Sequence, residues 1–117
     1  MHVREPGPKP ATFVGSSLDD LRDFPRSARR ETGFQLDKVQ RGEEADDWKP
    51  MPTVGAGVNE LRVRDEAGAF RLMYVVRFPE ALYVLHAFQK KTRATSKKDL
   101  ALAKDRYQQV LTRRKPL

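Results

Sequence analysis

Between Val58 and Lys91 the hydrophobic positions fall into three short segments, separated by DEAG and by FPE. In Val58–Arg64, Leu61 and Val63 lie on one side of an alternating pattern, with Glu60, Arg62 and Arg64 on the other. Phe70–Arg77 and Leu82–Phe88 are rich in β-branched and aromatic residues, which suit a pleated, half-buried surface. The pattern predicts a three-stranded antiparallel meander. A short hairpin turn falls around Glu66–Gly68, and Pro79 belongs in the second connection rather than within a strand.

The flanking segments carry a helical period. Lys9–Val14 is read as a short first strand, with Pro10 confining it to a sheet edge or strand start. Ser17 and Asp20 have capping-box spacing, and Leu18, Leu21 and Phe24 form an apolar stripe behind them. Pro25 closes that helix and opens a second, expected to run to Gln40. Ala28, Thr32, Gln35, Leu36 and Val39 share one side of it, a face polar enough to predict partial exposure. Gly33 costs this helix about 1 kcal/mol relative to alanine, which close approach of another element would explain. Glu43–Gly57 is read as a loop with a solvated acidic start, EEADD. Ser96 and Asp99 repeat the capping spacing, and Leu100, Ala103, Tyr107, Val110 and Leu111 mark a last amphipathic helix to about Thr112. The expected fold class is α+β: strand, two helices, three-stranded meander, helix. Helices on one sheet face would leave the other free for function.

At 117 residues one core is expected, with residues 1–12 as a polar extension, 13–112 as the domain and 113–117 as a basic tail. Cysteine is absent, which removes disulfides and thiolate metal sites. No apolar run reads as a signal peptide or membrane span, so a cytoplasmic protein without membrane contact is the expectation. The net charge of +7 is unevenly placed. Met1–Pro50 holds nine Lys/Arg against ten Asp/Glu, Met51–Leu85 four against four, and His86–Leu117 ten against two. A localised excess predicts a polyanionic partner, nucleic acid first; a solvated basic face without a partner is the plain alternative.

Candidate chemistry follows from that charge. His2 and His86 are not at metal-ligand spacing, and the carboxylates form no two-metal cluster, so no metal or cofactor is expected. Arg62 and Arg64 point the same way from one strand, either as a solvated face paired to Glu60 or Asp65 or as a clamp on phosphates. Arg71 interrupts the apolar run FRLMYVV and needs either a buried partner such as Glu60 or a substrate phosphate. By alternation His86 shares a side with Leu82, Val84 and Phe88, which makes it a core histidine or else a general acid or base. Lys90 and Lys91 end the strand at a rim suited to backbone phosphates. Arg93, Lys97 and Lys98 extend the nucleic-acid-binding candidates into the following turn and helix start. Phe88 is a base-stacking candidate or core, Tyr74 and Tyr83 are core, and Tyr107 anchors the last helix.

The segments ELRVR, FRLMYVV and LYVLHAFQKKTRATSKKDLALAKDRY, in this order and spacing, resemble the RelE/ParE superfamily, and in particular its HigB-type, phage-derived branch. FVGSSLDDL, from Phe13 to Leu21, resembles that branch's opening, so the likeness spans Phe13 to Val110. The resemblance implies a RelE-like small domain and a toxin of a type II toxin–antitoxin system that cuts messenger RNA in the ribosomal A site. Attack by the RNA's own 2′-hydroxyl would leave a 2′,3′-cyclic phosphate and a 5′-hydroxyl. By motif, the catalytic set implied is Arg62, Arg64, Arg71 and Lys91, with His86 a further candidate. Arginine stands where the RelE pattern has lysine, and the terminal tyrosine of that pattern has no match, so the general base is left open. The implied partners are the ribosome, messenger RNA and a cognate antitoxin of helix-turn-helix type. ParE-like relatives inhibit DNA gyrase instead, and a nonenzymatic RNA-binding or phage host-interaction module is a third reading.

Overall fold

A computed structural model describes residues 7–114. The chain runs β1 (Ala11–Phe13), α1 (Ser17–Arg22), α2 (Arg26–Gln40), β2 (Trp48–Pro50), β3 (Val58–Asp65), β4 (Gly68–Val75), β5 (Leu82–Lys90) and α3 (Lys97–Arg114). The architecture is α+β, with one mixed sheet of five strands in the order β1-β5-β4-β3-β2. The meander β3–β4–β5 is antiparallel as expected, and β1 adds in parallel beside β5. Segment Glu43–Gly57 is not all loop: its Trp48–Pro50 pairs antiparallel with Leu61–Asn59 as the fifth strand. Three residues ending in proline are too short to show alternation, and Pro50 is tolerated because β2 is an edge.

The hairpin β3–β4 closes on the pair Asp65–Gly68, with Gly68 at φ 133, a backbone conformation that side chains disfavour. β5 departs from plain alternation. Met73 faces His86 and Tyr74 faces Val84, so Leu85 has no partner on β4. This bulge shifts the side-chain pattern by one. Leu82 and Val84 therefore pack with α1 and α2, whereas His86 and Phe88 lie on the opposite face with Met73 and Arg71. The expected grouping of His86 with Leu82 and Val84 is corrected accordingly.

Two cores result, one on each face. Leu61, Val63, Phe70, Leu72, Tyr74, Leu82 and Val84 bury against Leu21, Phe24, Ala28, Leu36 and Val39 of the first two helices and their junction. Each fully buried Leu or Phe of this kind contributes roughly 1.5–3 kcal/mol. Val58, Met73, Val75, Tyr83 and Leu85 bury against Ala103, Tyr107 and Val110 of α3. The second face is thus covered at one end rather than free.

The caps and the α2 face also differ in detail from the sequence reading. Ser16, not Ser17, holds the N-cap position of α1, with its hydroxyl donating to the Asp20 carboxylate at 2.8 Å rather than capping a backbone N–H; Ser17 is buried and donates to the Val84 carbonyl at 3.2 Å. The α2 face is buried rather than half-exposed, because its polar members find partners. Thr32 donates to the Ala28 carbonyl at 2.7 Å, and Gln35 exchanges hydrogen bonds with Asp46 at 2.7 and 2.8 Å. Asp46 also pairs with Lys38 at 2.7 Å, so part of the acidic stretch is structural rather than merely solvated. Ser96 and Asp99 form the expected cap of α3, with Asp99 N donating to Ser96 Oγ at 3.1 Å. Among the described residues no helix is long and apolar enough to cross a membrane. Residues 1–6 of the expected extension and 115–117 of the expected tail lie outside the described residues.

Candidate functional site

The register across β2, β3, β4 and β5 sets polar side chains in rows on the face that α3 covers only in part. Directly opposed residues share a face, so Lys49, Glu60, Met73 and His86 make one row. The next row is Arg62, Arg71 and Phe88, and the third is Arg64, Ala69 and Lys90. Sequence periodicity places Arg62 and Arg64 together; pairing between strands is what adds Arg71 and Lys90.

Glu60 sits at the centre of the cations and is 1% exposed. Its Oε1 lies 3.4 Å from Arg62 Nε and 3.5 Å from Arg71 Nε, and its Oε2 accepts from the Thr95 hydroxyl at 3.3 Å. The anticipated Arg71–Glu60 pairing is therefore present. It is incomplete, because Arg71 Nε is buried yet makes no hydrogen bond among the described residues, while Nη1 donates to the Phe70 carbonyl at 3.1 Å. A guanidinium has five donors, and here the Nη groups, rather than the buried Nε, keep capacity for an incoming anion.

The electrostatics point the same way. Burial pushes Arg71 below its ordinary pKa, and the charges of Arg62 and Arg64 add to that against the opposing pull of Glu60 and Asp47. Burial also lowers Lys90, with Arg71 the next contributor and Arg62 and Lys49 acting in the same sense. One buried carboxylate thus faces a larger number of cations than it can neutralise. An added phosphate would relieve the mutual repulsion of these groups.

His86 occupies a different position from that of a free acid or base. Its ring is stacked on Phe88 at 4.8 Å between centroids, and its Nε2 lies 2.7 Å from Asp99 Oδ1 at the start of α3. The other Asp99 oxygen accepts from Ser96 Oγ at 2.6 Å. His86 therefore ties the sheet to the α3 cap, next to the segment that lays Thr95 on Glu60. Its Nδ1 is buried without a hydrogen-bond partner among the described residues. Phe88 is 9% exposed and offers little free ring surface.

The remaining sequence candidates form the rim. Lys91 and Arg93 lie exposed in the linker between β5 and α3, and neither makes an ion pair among the described residues. Lys97 and Lys98 are exposed in the first turn of α3, where Lys98 lines a cleft of about 380 Å³ with Asp99, His86 and Gln89. Glu60, Thr95, Lys49 and Asp99 were not selected as site residues from sequence. Glu60 alone carried a signal, as the acidic member of the alternating ELRVR face; Lys49 reaches the site through a strand too short to recognise.

Fold and face together define an α+β domain with a cationic, carboxylate-centred patch on an incompletely covered sheet. Residues 19–108 match the family described as Phage derived protein Gp49-like (DUF891), and the chain belongs to that family. Among curated proteins none matches the sequence at a significant level.

Proposed function

We propose that this protein is a RelE/ParE-type, HigB-like toxin of a type II toxin–antitoxin system that cleaves messenger RNA on the ribosome. The observation that carries the proposal is Arg71: a largely buried guanidinium with Nη donors to spare among the described residues, in register with Arg62 and electrostatically linked to Arg64 and Lys90. Membership of a phage-derived family covering most of the chain supports it.

In this reading Arg71 and Arg62 hold the non-bridging oxygens of the scissile phosphate. Lys90, Lys91 and Arg64 take the flanking backbone. The ribose 2′-oxygen attacks phosphorus, the new O2′–P bond forms, and the P–O5′ bond breaks to give a 2′,3′-cyclic phosphate and a 5′-hydroxyl. The ribose 2′-hydroxyl takes the place of the Thr95 hydroxyl on the buried Glu60, whose Oε2 then accepts its proton. Burial and the neighbouring Arg71 charge make Lys90 easier to deprotonate, which suits it to protonate the departing 5′-oxygen. Charge growing on the phosphoryl oxygens is stabilised by cations already fixed in place. His86 holds the α3 cap and the Thr95 segment rather than exchanging protons with RNA. An open sheet face needs its substrate presented in a set geometry, which the ribosome supplies.

The test is inducible expression followed by mapping of RNA ends. Growth arrest with new 5′-hydroxyl ends within translated messages is expected, and Arg71→Ala abolishes both while the protein stays folded. Arrest with intact transcripts refutes the nuclease; inhibition of supercoiling by purified gyrase in that case would favour the ParE-like alternative.

A further inference from the structure

Helix α2 lies on the face opposite the cationic patch, and its outer stripe has a composition that its own fold does not use. Phe34 is 58% exposed, the large hydrophobic side chain standing out in this way among the described residues. Gly33 beside it is exposed, and a Cβ built there meets nothing within 4 Å. Glycine in an exposed helix interior costs about 1 kcal/mol against alanine, and no close approach among the described residues requires it. Arg30 and Asp37, also exposed, complete the stripe one turn to either side, since residues three and four apart share a helix face.

These four residues are symmetric about the midpoint of Gly33 and Phe34. We infer that a second copy of this chain docks here, α2 against α2 and antiparallel, about a two-fold axis between Gly33 and Phe34. In that register each Phe34 ring packs over the partner's Gly33, where the missing side chain admits it. Each Arg30 meets the partner's Asp37. Such reciprocity is what an isologous contact demands. Asp37 already binds Arg41 of its own helix at 2.9 Å, and a carboxylate has acceptor sites for both guanidinium groups. At the ends Arg26 meets the partner's Arg41, and each copy carries a net charge of +7, so the dimer is weak and forms at high protein concentration. A depression lined by Ser27, Arg30, Glu31 and Phe34 gives the incoming side chains room. The two cationic faces point away from the axis and stay open, so this inference stands whether or not the protein cuts RNA.

Sedimentation velocity on the full chain tests it, from roughly 10 to 500 µM in about 0.15 M salt, where long-range repulsion is screened. Wild type is expected to pass from monomer to dimer across that range. Phe34→Glu should stay monomeric throughout. Arg30→Asp should weaken association about tenfold or more, by placing like charges together, and the double variant R30D/D37R should recover most of the loss. Gly33→Ala should raise the thermal midpoint yet weaken association. A wild-type protein that stays monomeric at the top concentration overturns the inference. So does a dimer indifferent to Phe34→Glu, and a double variant no better than R30D overturns the register.

Discussion

Replacing Glu60 by glutamine removes one charge and almost no volume, so the consequences isolate electrostatics. The side chain is 1% exposed and approaches Arg62 at 3.4 Å and Arg71 at 3.5 Å. Breaking a buried pair by removing one partner costs about 3–5 kcal/mol when the remaining charge is stranded. Here the cost is lower. Both contacts are long, Arg62 is partly solvated, and glutamine keeps an oxygen for Thr95, so about 2 kcal/mol is expected. For a domain of this size that is a fall of roughly 8 °C in thermal midpoint in phosphate-free buffer. Adding inorganic phosphate should restore more of the midpoint in the variant than in wild type, because the uncompensated cations then bind the anion more tightly. RNA cleavage should fall by about 100-fold or more if Glu60 takes the 2′-hydroxyl proton, with RNA binding unchanged or tighter. An unaltered midpoint without phosphate would falsify the role of Glu60 as counter-ion to the cluster. Cleavage within about threefold of wild type would remove it as the base.

Three further outcomes follow from other parts of the molecule. Arg71→Lys keeps the charge but loses the planar fork, so cleavage mapped by primer extension should drop about 10- to 100-fold in a folded protein; full activity would show that a point charge suffices. Glu80 is lowered from 4.5 to about 2, chiefly by its hydrogen bond from Arg114, with Tyr83 assisting. A depressed folded-state value contributes stability above pH 4.5 that is lost as pH falls toward about 2, so Glu80→Gln should flatten that part of the acid-unfolding curve measured by urea titration. Gly15 has φ 58 and its absent Cβ would lie 2.6 Å from Arg106 Nε, a side chain fixed by bonds to the Leu85 carbonyl and Ser16 Oγ. Gly15→Ala should therefore cost about 1–2 kcal/mol from backbone strain plus displacement of Arg106; a chemical-denaturation midpoint equal to wild type would contradict this.

What the sequence determined by itself was everything governed by local period. Alternation gave β3 and put Arg62 and Arg64 on one side, and runs rich in β-branched and aromatic residues gave β4 and β5. The 3.6-residue period gave α2 and the five residues of its inward face, though not their full burial, and α3 with Ala103, Tyr107 and Val110 inward. Capping spacing placed the start of α3 correctly, because Ser96 and Asp99 bond one another within a single turn. The phage-derived resemblance agrees with the family match over residues 19–108.

Tertiary structure decided the features that depend on residues distant in sequence. β2 exists because β3 offers it an edge; three residues carry no period of their own. The bulge at Leu85 turns His86 away from Leu82 and Val84, and only the register against β4 reveals it. The central position of Glu60 arises because neighbouring strands bring Lys49, Arg71 and Lys90 around a carboxylate that local pattern reads as an ordinary polar residue. Local hydrogen bonding and side-chain direction repeat every two or 3.6 residues and are written in the chain, whereas the meeting of charges across a sheet is fixed by pairing register, which no short window of sequence contains.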